Sequence, residues 1–405
     1  MALIVQKYGG TSVGDIQRIK NVAQRVIDSR KQGHDVIVVV SAMSGETNRL
    51  IALAQQVTSD CSGPEVDLLL ATGEQVTVSL LGLALQEMGQ PSHSYLGSQV
   101  KIVTDKAFSK ALIQSIDARK IHMALAEGCV GVIAGFQGVT CEGEITTLGR
   151  GGSDTSAVAI AAAVKADLCE IYTDVDGVYT ADPRICPNAR KLDKISHEEM
   201  LELASLGSKV LQIRSVELAA NHQVNLMVRS SFNNNAGTLL TSEESTMEKI
   251  VVSGVALDES EAKLAIRDVP DQPGICMQVF GAIAEANINV DMIIQNTGAD
   301  GRADLSFTVP ALELAKAKKI VMGLKDKLGF TTIDADEDIA KVSIVGVGMR
   351  SHAGVAAKAF ALLAQNKINI DMISTSEIKI SVVVRKGEGK KAVAILHDGF
   401  ELYAT

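Results

Sequence analysis

The sequence has no tryptophan, and aromatic residues make up only 3% of its 405 residues. The interior must therefore be built from aliphatic side chains, which the apolar share of 46% supplies. Aliphatic cores suit α/β layering, in which helices cover buried parallel strands. The chain is too long for one core of typical size, so we expect two or three domains.

An excess of positive charge is also missing, since the formal net charge is −9 and the isoelectric point is near 5.4. A nucleic acid or an anionic membrane would need a basic face, so neither is expected as a partner. An anionic substrate would have to be bound by a local cluster of positive groups.

Metal-binding cysteine pairs and targeting segments are missing as well. The six cysteines include no Cys-x-x-Cys pair, and no histidine spacing completes a zinc site. The N-terminus turns polar at Gln6 and Lys7, unlike a signal peptide, and no apolar run is expected to reach membrane-spanning length. We expect a cytoplasmic protein with reduced thiols.

Short apolar runs alternate with helical patterns in the first part of the chain. Strands are predicted at residues 3–5, 36–40, 130–134 and 170–173, with helices between them that include a long one at 65–88. This alternation predicts an α/β domain with a doubly wound, mostly parallel sheet.

The last third of the chain repeats itself at an offset of 80 residues. Residues 288–293 (INVDMI) match residues 368–373 (INIDMI), and a glycine turn precedes each copy. Each copy predicts strand, glycine turn, helix and strand, which favours two small α+β domains over an open array of repeats. A polar cluster near 242–246 is the predicted linker. The predicted domains are 1–242, 263–340 and 341–405, and a strand within 249–262 is expected to pair with the last of them.

The first candidate site is the sequence KYGGTS at residues 7–12, between the first strand and its helix. Ligands of open α/β sheets bind at this end of the strands. Two glycines let the backbone approach a phosphate, the helix N-terminus offers N–H groups, and Lys7 supplies a charge. Taken alone, this feature is more simply a glycine turn beside a solvated lysine.

An alternative concerns Ser12, because residues 10–14 (GTSVG) match the Gly-x-Ser-x-Gly turn of serine hydrolases. In that fold an earlier strand and its loop complete the oxyanion hole. The nine residues before the turn leave no room for them, so the hydrolase is disfavoured.

The second candidate site is TLGRGGSDTS at residues 147–156, ahead of an alanine-rich helix. Its glycines predict an anion-binding turn, Arg150 suits a carboxylate, and Asp154 in the first helical turn suits a lysine or a metal. An ordinary N-cap would account for Ser153 and Asp154, but not for Arg150 among three glycines.

The third candidate site is YTDVDGVYTADPR at residues 172–184, just after a buried strand. A plain loop accounts for its Asp-Gly and Asp-Pro turns. Tyrosines, aspartates and an arginine are also what an adenine and triphosphate pocket requires. The Walker A and protein-kinase motifs are missing from the sequence, which excludes those two classes of kinase.

Together the three segments and the repeat resemble the aspartate kinases, in which a domain of the amino-acid kinase fold precedes two ACT domains. The resemblance implies that the two copies of the repeat are α+β ferredoxin-like ACT domains. The resemblance spans nearly the whole chain. It implies that ATP and L-aspartate give ADP and 4-phospho-L-aspartate, the first step toward lysine, threonine, methionine and diaminopimelate. It also implies Mg²⁺ held mainly by phosphates and water rather than by protein side chains.

The resemblance assigns roles by matched position. Lys7 would stabilise charge on the transferred phosphoryl group and Asp154 would hold that lysine. Aspartate would be bound by Ser41, Thr47, Glu74, Arg150, Gly151, Gly152 and Ser153. The nucleotide pocket would comprise Lys7, Tyr8, Gly9, Gly10, Thr173, Asp174, Tyr179, Thr180, Ala181, Asp182, Pro183, Arg184, Lys209 and Val210.

Feedback inhibition by lysine, threonine or both is implied for the repeat. Effector residues in the first copy would be Asp271, Gly274, Ile275, Asn289, Val290, Asp291 and Gln295. Those in the second would be Val355, Ala356, Asn369, Ile370, Ser376 and Glu377. The second copy has Ala353 in place of Pro273 and lacks most of loop 298–303, so the first is the better candidate.

Exposed ACT sheet edges predict a homo-oligomer. Two alternatives stay open: a kinase of the same fold that acts on glutamate or acetylglutamate, and a non-catalytic amino-acid sensor.

Overall fold

Two structural units divide the chain. The computed structural model describes residues 2–206, 210–242, 251–298, 301–350 and 352–403. The first unit comprises Met1–Tyr179 and Lys191–Glu248, and the second comprises Thr180–Arg190 and Lys249–Thr405. The chain therefore leaves the first unit inside the third candidate segment and returns eleven residues later.

The first unit is built from alternating strands and helices. Its strands are β1 (Leu3–Tyr8), β2 (Asp35–Val40), β3 (Ser92–Tyr95), β4 (Ile102–Thr104), β5 (Ile113–Ile116), β6 (Val130–Ala134), β7 (Gln137–Val139), β8 (Ile145–Thr147), β9 (Leu168–Thr173), β10 (Lys194–Ser196), β11 (Leu226–Ser230) and β12 (Thr238–Thr241). Its helices are α1 (Ile16–Lys31), α2 (Glu46–Val57), α3 (Pro64–Leu70), α4 (Thr72–Glu87), α5 (Arg119–Ala126), α6 (Gly152–Val164), α7 (His197–Ser205) and α8 (Ile213–His222).

An eight-stranded sheet forms the centre of the first unit, in the order β10-β12-β11-β9-β1-β2-β6-β3. Among its described pairs, only β11 and β12 run antiparallel. Helices α1 and α4 contact β2 and β6, while α6 contacts β1 and β9. The predicted doubly wound, mostly parallel sheet is confirmed. A smaller sheet, β5-β4-β7-β8, lies in the same unit.

The long helix predicted at 65–88 is interrupted at Ala71, whose carbonyl oxygen accepts a hydrogen bond from Gln137 Nε2 at 3.1 Å. The stretch Pro64–Glu87 has the length and the mean hydropathy, 1.6, of a membrane span, contrary to the expectation that no apolar run would. Half of that window is buried inside the fold, and core helices share this composition. Its packing on α1 and β6 accounts for its apolar residues.

The second unit contains the repeat. Its strands are β13 (Gly254–Asp258), β14 (Glu261–Pro270), β15 (Ile293–Thr297), β16 (Arg302–Pro310), β17 (Thr332–Asp336), β18 (Ile339–Val345), β19 (Met372–Thr375) and β20 (Lys379–Arg385). Its helices are α9 (Ile275–Glu285), α10 (Leu314–Gly323), α11 (Lys325–Leu328), α12 (Val355–Gln365) and α13 (Gly389–Gly399).

Each copy of the repeat forms a four-stranded antiparallel sheet, with orders β15-β16-β14-β17 and β13-β18-β20-β19. Equivalent helices α9 and α12 begin after Gly274 and Gly354, whose φ angles are +95° and +97°. Both copies therefore turn into their helix through a left-handed glycine. Strand β13 precedes the first sheet in sequence but pairs with β18, so the first sheet is an insertion within the second.

Candidate active site

A cavity of about 630 Å³ opens where β1 and β2 end, beside the N-terminus of α6. This is the position expected for a ligand of an open α/β sheet. Predicted residues that line it are Lys7, Gly10, Ser41, Thr47, Glu74, Arg150, Gly151, Gly152, Ser153 and Asp154. The structure therefore brings together every residue predicted to be catalytic or to bind aspartate.

Lys7 and Asp154 form an ion pair in this cavity, with Nζ and Oδ1 2.6 Å apart. Their side chains are only 10% and 13% exposed. Lys7 is held by β1, which lies between β2 and β9, and Asp154 by the first turn of α6. Since a nearly buried charge is costly unless it is paired, each of these side chains fixes the position of the other.

Glu74 is the least satisfied charge of the cavity. It is 2% exposed, and its Oε1 accepts the backbone N–H of Ala42 at 2.9 Å. Its Oε2 is buried without a hydrogen-bond partner among the described residues. Burial raises the pKa of Glu74 from 4.5 to about 7, even though the Ala42 hydrogen bond opposes this. A cationic group of a ligand would satisfy the free oxygen.

Close backbone approaches require glycine at two of the predicted positions. A Cβ on Gly10 would lie 2.9 Å from the carbonyl oxygen of Ala42, and one on Gly151 would lie 2.0 Å from Gln212 Cγ. Gly151 also has a φ of +70°, which disfavours other residues. The neighbouring Arg150 is exposed, and its guanidinium has no ion-pair partner within the described ranges. It is therefore free to bind an anion.

Asp67, which the sequence analysis missed, organises one wall of the cavity. Its buried carboxylate accepts the N–H and the hydroxyl of Ser109 at 2.9 and 3.1 Å. It also accepts the N–H and the hydroxyl of Thr147 at 2.6 and 2.9 Å. Both partners line the cavity. An aspartate within the apolar stretch of α3 was the only available signal.

Other lining residues were also not predicted. They include Met43 and Ser44 in the loop after β2, Asn48 in α2, and Phe136 between β6 and β7.

The serine-hydrolase alternative is not supported by the position of Ser12. That residue is 2% exposed, and its hydroxyl donates to Ser231 Oγ at 2.8 Å. Its hydroxyl is therefore engaged within the protein rather than presented to a substrate.

The predicted nucleotide residues of β1 and β9 contribute their rings to the core. Tyr8 stacks on Tyr172 with ring centroids 4.7 Å apart, and the two are 0% and 2% exposed. Burial raises the pKa of Tyr172 to about 12. The main chain of Tyr8 is buried as well, and its carbonyl oxygen accepts the Ser41 N–H at 3.1 Å, so no group of Tyr8 is exposed to a ligand. Tyr179 is half-buried, and its hydroxyl donates to Asp176 at 2.8 Å.

The predicted nucleotide segment divides between the two units. Thr173, which accepts the Val175 N–H at 3.3 Å, Asp174 and Tyr179 belong to the first unit. Residues 180–184 belong to the second, where the half-buried Asp182 is paired with the exposed Arg184 at 2.7 Å. Lys209 lies outside the described residues, and Val210 is half-buried.

Four predicted effector residues of the first repeat lie at or beside the start of α9, while Asn289, Val290 and Asp291 follow the end of that helix. Gln295 Nε2 is 3.4 Å from Asp271 Oδ1, and Gln295 Oε1 accepts from Cys276 Sγ at 3.2 Å. Gly274 and Ile275 begin the helix beside them. Asp291 is instead paired with the buried Lys341.

In the second repeat the predicted residues make mostly local contacts. Glu377 pairs with Arg350 at 3.0 Å, the Ser376 N–H donates to Lys379, and Asn369 bonds Asp371 at 3.2 Å. The apolar positions contribute to the hydrophobic core; they are Val355, Ala356 and Ile370.

Within the described ranges, one group of side chains has metal-ligand spacing, namely His93, Glu127 and Cys129. It does not line the cavity. The acidic residues that line the cavity are Glu74 and Asp154, and among the described residues they are not part of a group with metal-ligand spacing.

The comparisons with known families agree with this architecture. Residues 2–230 match the amino acid kinase family, and residues 264–322 and 342–400 each match the ACT domain family. The fold and the cavity thus define an amino acid kinase domain followed by two ACT domains.

Relatives of known activity narrow the class. The aspartate kinase of Pseudomonas putida is 56% identical over 405 residues, which cover 100% of this chain and 98% of that protein. The aspartokinase of Helicobacter pylori strain J99 is 52% identical over 404 residues, 99% of each chain. The chain belongs to the aspartate kinase family, and the resemblance found in the sequence is confirmed.

Solved structures show the same fold. E. coli aspartokinase III in complex with aspartate and ADP, in the R-state, has a TM-score of 0.83 and 25% identity, and the alignment covers 98% of this chain and 99% of that one. The same enzyme with lysine and aspartate, in the T-state, has a TM-score of 0.78 at 25% identity, with the same coverage.

Proposed function

We propose that the protein transfers the γ-phosphoryl group of ATP to the β-carboxylate of L-aspartate, giving ADP and 4-phospho-L-aspartate. The observation that carries this proposal is the charge pattern of the cavity. It combines a lysine at the end of β1 with a buried carboxylate that has an unpartnered oxygen and an arginine that has no ion-pair partner, both as judged among the described residues. A small zwitterion with a second carboxylate complements all three.

Aspartate would be bound by opposite charges at its two ends. Glu74 Oε2 suits the α-ammonium, which would satisfy the buried oxygen, and Arg150 suits the α-carboxylate through paired N–H donors. The hydroxyls of Ser41 and Thr47 suit carboxylate oxygens, as do the groups of 151–153 at the start of α6. The β-carboxylate is then directed toward Lys7.

Phosphoryl transfer needs no protein nucleophile in this arrangement. A β-carboxylate oxygen of aspartate attacks the γ-phosphorus, and the bond to the oxygen bridging the β- and γ-phosphorus breaks, which releases ADP. Lys7 stabilises the negative charge of the transferred group, and Asp154 keeps its ammonium in place. Positioning and electrostatic stabilisation supply the rate.

The nucleotide would be bound by Lys7, by the glycine turn of residues 9–10 and by the segments 173–184 and 209–210. Mg²⁺ would neutralise the phosphates when bound. Phosphates and water would provide most of its ligands, because the described part of the chain places no cluster of free carboxylates in the cavity.

Regulation by lysine, threonine or both would act through the ACT domains, the first being the better candidate. E. coli aspartokinase III has been solved with lysine. Asp271 and Gln295 form an exposed polar pair beside the start of α9 in this chain. The residue equivalent to Gln295 in the second repeat is Thr375. Edge strands such as β15 and β19 would pair between chains in a homo-oligomer.

The reaction is tested by trapping acyl phosphate with hydroxylamine in the presence of ATP, Mg²⁺ and one acidic amino acid. We expect product with aspartate and little with glutamate or acetylglutamate. Preference for either of the latter would contradict the aspartate proposal, and no turnover with any of them would favour the non-catalytic sensor.

The effector proposal is tested by titrating this activity with lysine and threonine, singly and together. Gln295→Ala should raise the midpoint of inhibition about tenfold, the effect of losing one polar contact to a charged ligand. The matched control Thr375→Ala should leave the midpoint unchanged. A shift in the control alone would assign the site to the second repeat.

A further inference from the structure

The segment Thr180–Arg190 is part of the core of the second ACT domain, although it comes from the middle of the catalytic sequence. Ala181 and Cys186 are 4% and 3% exposed and belong to the same hydrophobic core as Leu363 and Leu396. The backbone N–H of Val255 in β13 donates to the carbonyl oxygen of Thr180 at 2.8 Å. The second ACT domain therefore holds the beginning of this segment by both packing and main-chain hydrogen bonding.

A buried histidine adds a side-chain contact to the same residue. His397 in α13 is 0% exposed, and its Nε2 lies 3.0 Å from Thr180 Oγ1. That oxygen also accepts the backbone N–H of Arg190 at 3.0 Å, which leaves the hydroxyl hydrogen to donate to Nε2. Burial lowers the pKa of His397, although Asp398 near Nδ1 opposes this, so the ring is neutral at pH 7 and Nε2 can accept.

Chain continuity transmits the position of Thr180 to the predicted nucleotide segment. Tyr179 precedes it directly and bridges to Lys191 within the first unit. Its hydroxyl donates to Asp176 of the same segment. Thr180 in turn pairs with Arg190 through its N–H at 2.9 Å. A shift of Thr180 would be passed along the backbone to the residues before it.

We propose that His397 is a positioning residue for ATP: by holding Thr180, it sets the course of the nucleotide segment from within the second ACT domain. This inference rests on the proposed kinase function and on the predicted role of residues 173–184. His397 itself does not touch the substrate. It gives the second repeat a task different from that of the first, where the polar pair of Asp271 and Gln295 lies.

The experiment compares His397→Leu with His397→Gln in the full-length enzyme. Leucine removes the polar atom, whereas the glutamine amide carries one close to the position of Nε2. We expect His397→Leu to raise the KM for ATP about three- to tenfold, the effect of one lost hydrogen bond. The value of kcat at saturating ATP and the KM for aspartate should change less than twofold. His397→Gln should recover most of the affinity for ATP.

Ser343→Ala is the matched control, because Ser343 in β18 forms a buried hydroxyl pair with Ser381 at 2.7 Å in the same domain. It should lower the unfolding midpoint as His397→Leu does, but leave the KM for ATP unchanged. If both variants alter only the unfolding midpoint, His397 is purely structural and the inference is wrong.

A second pair of variants covers the case in which His397→Leu does not fold. Thr180→Val keeps the shape and removes the hydroxyl, so it should raise the KM for ATP, whereas Thr180→Ser keeps the donor to His397 and should raise the KM less. An unchanged KM for ATP in Thr180→Val would overturn the inference. Calorimetric binding of a non-hydrolysable ATP analogue gives the same test without turnover. An unmodified enzyme that binds the analogue but does not phosphorylate aspartate would instead refute the proposed function.

Discussion

Glu74 in the first unit and Lys341 in the second unit are both buried charged residues, each 2% exposed, but the groups around them differ. Glu74 has one oxygen without a partner among the described residues. Lys341 Nζ lies 3.7 Å from Asp258 and 4.0 Å from Glu261, and it is paired with Asp291. A buried charged group that has no partner within the protein indicates a ligand site. A buried charged group that the protein surrounds with opposite charges indicates a structural role.

The pKa shifts express the same difference. Burial raises the pKa of Glu74 to about 7, because the protein supplies too little stabilisation of the ionised carboxylate. Burial alone would lower the pKa of Lys341, but the hydrogen bond to Asp291 and the three carboxylates outweigh it, so that pKa is raised. Lys341 therefore stays charged without a ligand, while Glu74 without a ligand is only partly ionised near pH 7.

The largest effect is expected at Lys7, and it would sharpen the distinction between catalytic and structural charges. Lys7→Met keeps the aliphatic stem and removes the charge that stabilises the transferred phosphoryl group. We expect kcat to fall by about a thousandfold. Rates from the hydroxylamine assay, together with circular dichroism to check the fold, measure this effect.

Lys7→Arg is the control, since it keeps the charge and should retain more activity than Lys7→Met. A Lys7→Met enzyme with near-normal kcat would show that the ion pair with Asp154 is structural. The pair of Lys7 and Asp154 would then have only a structural role, like Lys341 with the carboxylates of Asp258, Glu261 and Asp291.

The second effect is expected at Lys341 and concerns stability alone. Lys341→Met leaves Asp258 and Glu261, both largely buried, without their cation. We expect the free energy of unfolding to fall by about 3 kcal/mol. Urea denaturation at pH 7 measures it, and kcat of the folded variant at saturating substrates should be unchanged. A large loss of kcat without loss of stability would contradict the structural role of this cluster.

The resemblance to the aspartate kinases gave the residues predicted to be catalytic or to bind aspartate. Lys7, Ser41 and Arg150 each lie at or just after the end of a strand at the cavity. The environment of Glu74 could not be predicted, since it depends on Ala42, 32 positions away. Asp67 was missed because its partner Thr147 is 80 positions away. Such contacts follow from the packing of α3 and α4, which local patterns do not encode.

The assignment of residues 180–190 to the second unit could not be predicted from the sequence patterns either. The repeat predicted two similar sheets, and both are present. The transfer of residues 180–190 to the second unit depends on Val255 and on a core assembled from distant segments. An apparently continuous nucleotide motif showed no sign of it.

The smallest effect on activity is expected for Glu74→Gln, which tests whether the unmatched carboxylate awaits a cation. The amide can still accept from Ala42 but cannot pair with an ammonium, so we expect the KM for aspartate to rise about tenfold. In the unmodified enzyme, aspartate should bind more tightly as the pH rises through 7, where Glu74 ionises. Glu87→Gln, on the exposed end of the same helix, is the matched control and should leave KM unchanged.

Glu74→Gln should weaken aspartate binding but stabilise the ligand-free fold. This combination distinguishes a ligand-binding charge from a structural one, whose loss would destabilise the fold. Below pH 4.5 Glu74 is protonated in both the folded and the unfolded chain and contributes nothing. Between pH 4.5 and about 7 only the unfolded chain loses the proton, so the ionisable carboxyl increasingly destabilises the fold. Without ligand, Glu74→Gln should therefore be more stable than the unmodified protein at pH 8, by about 1–3 kcal/mol, and nearly equal at pH 4.5. If Glu74→Gln and the unmodified protein had equal unfolding curves at pH 8, the protein itself would stabilise the charge of Glu74, as it does that of Lys341.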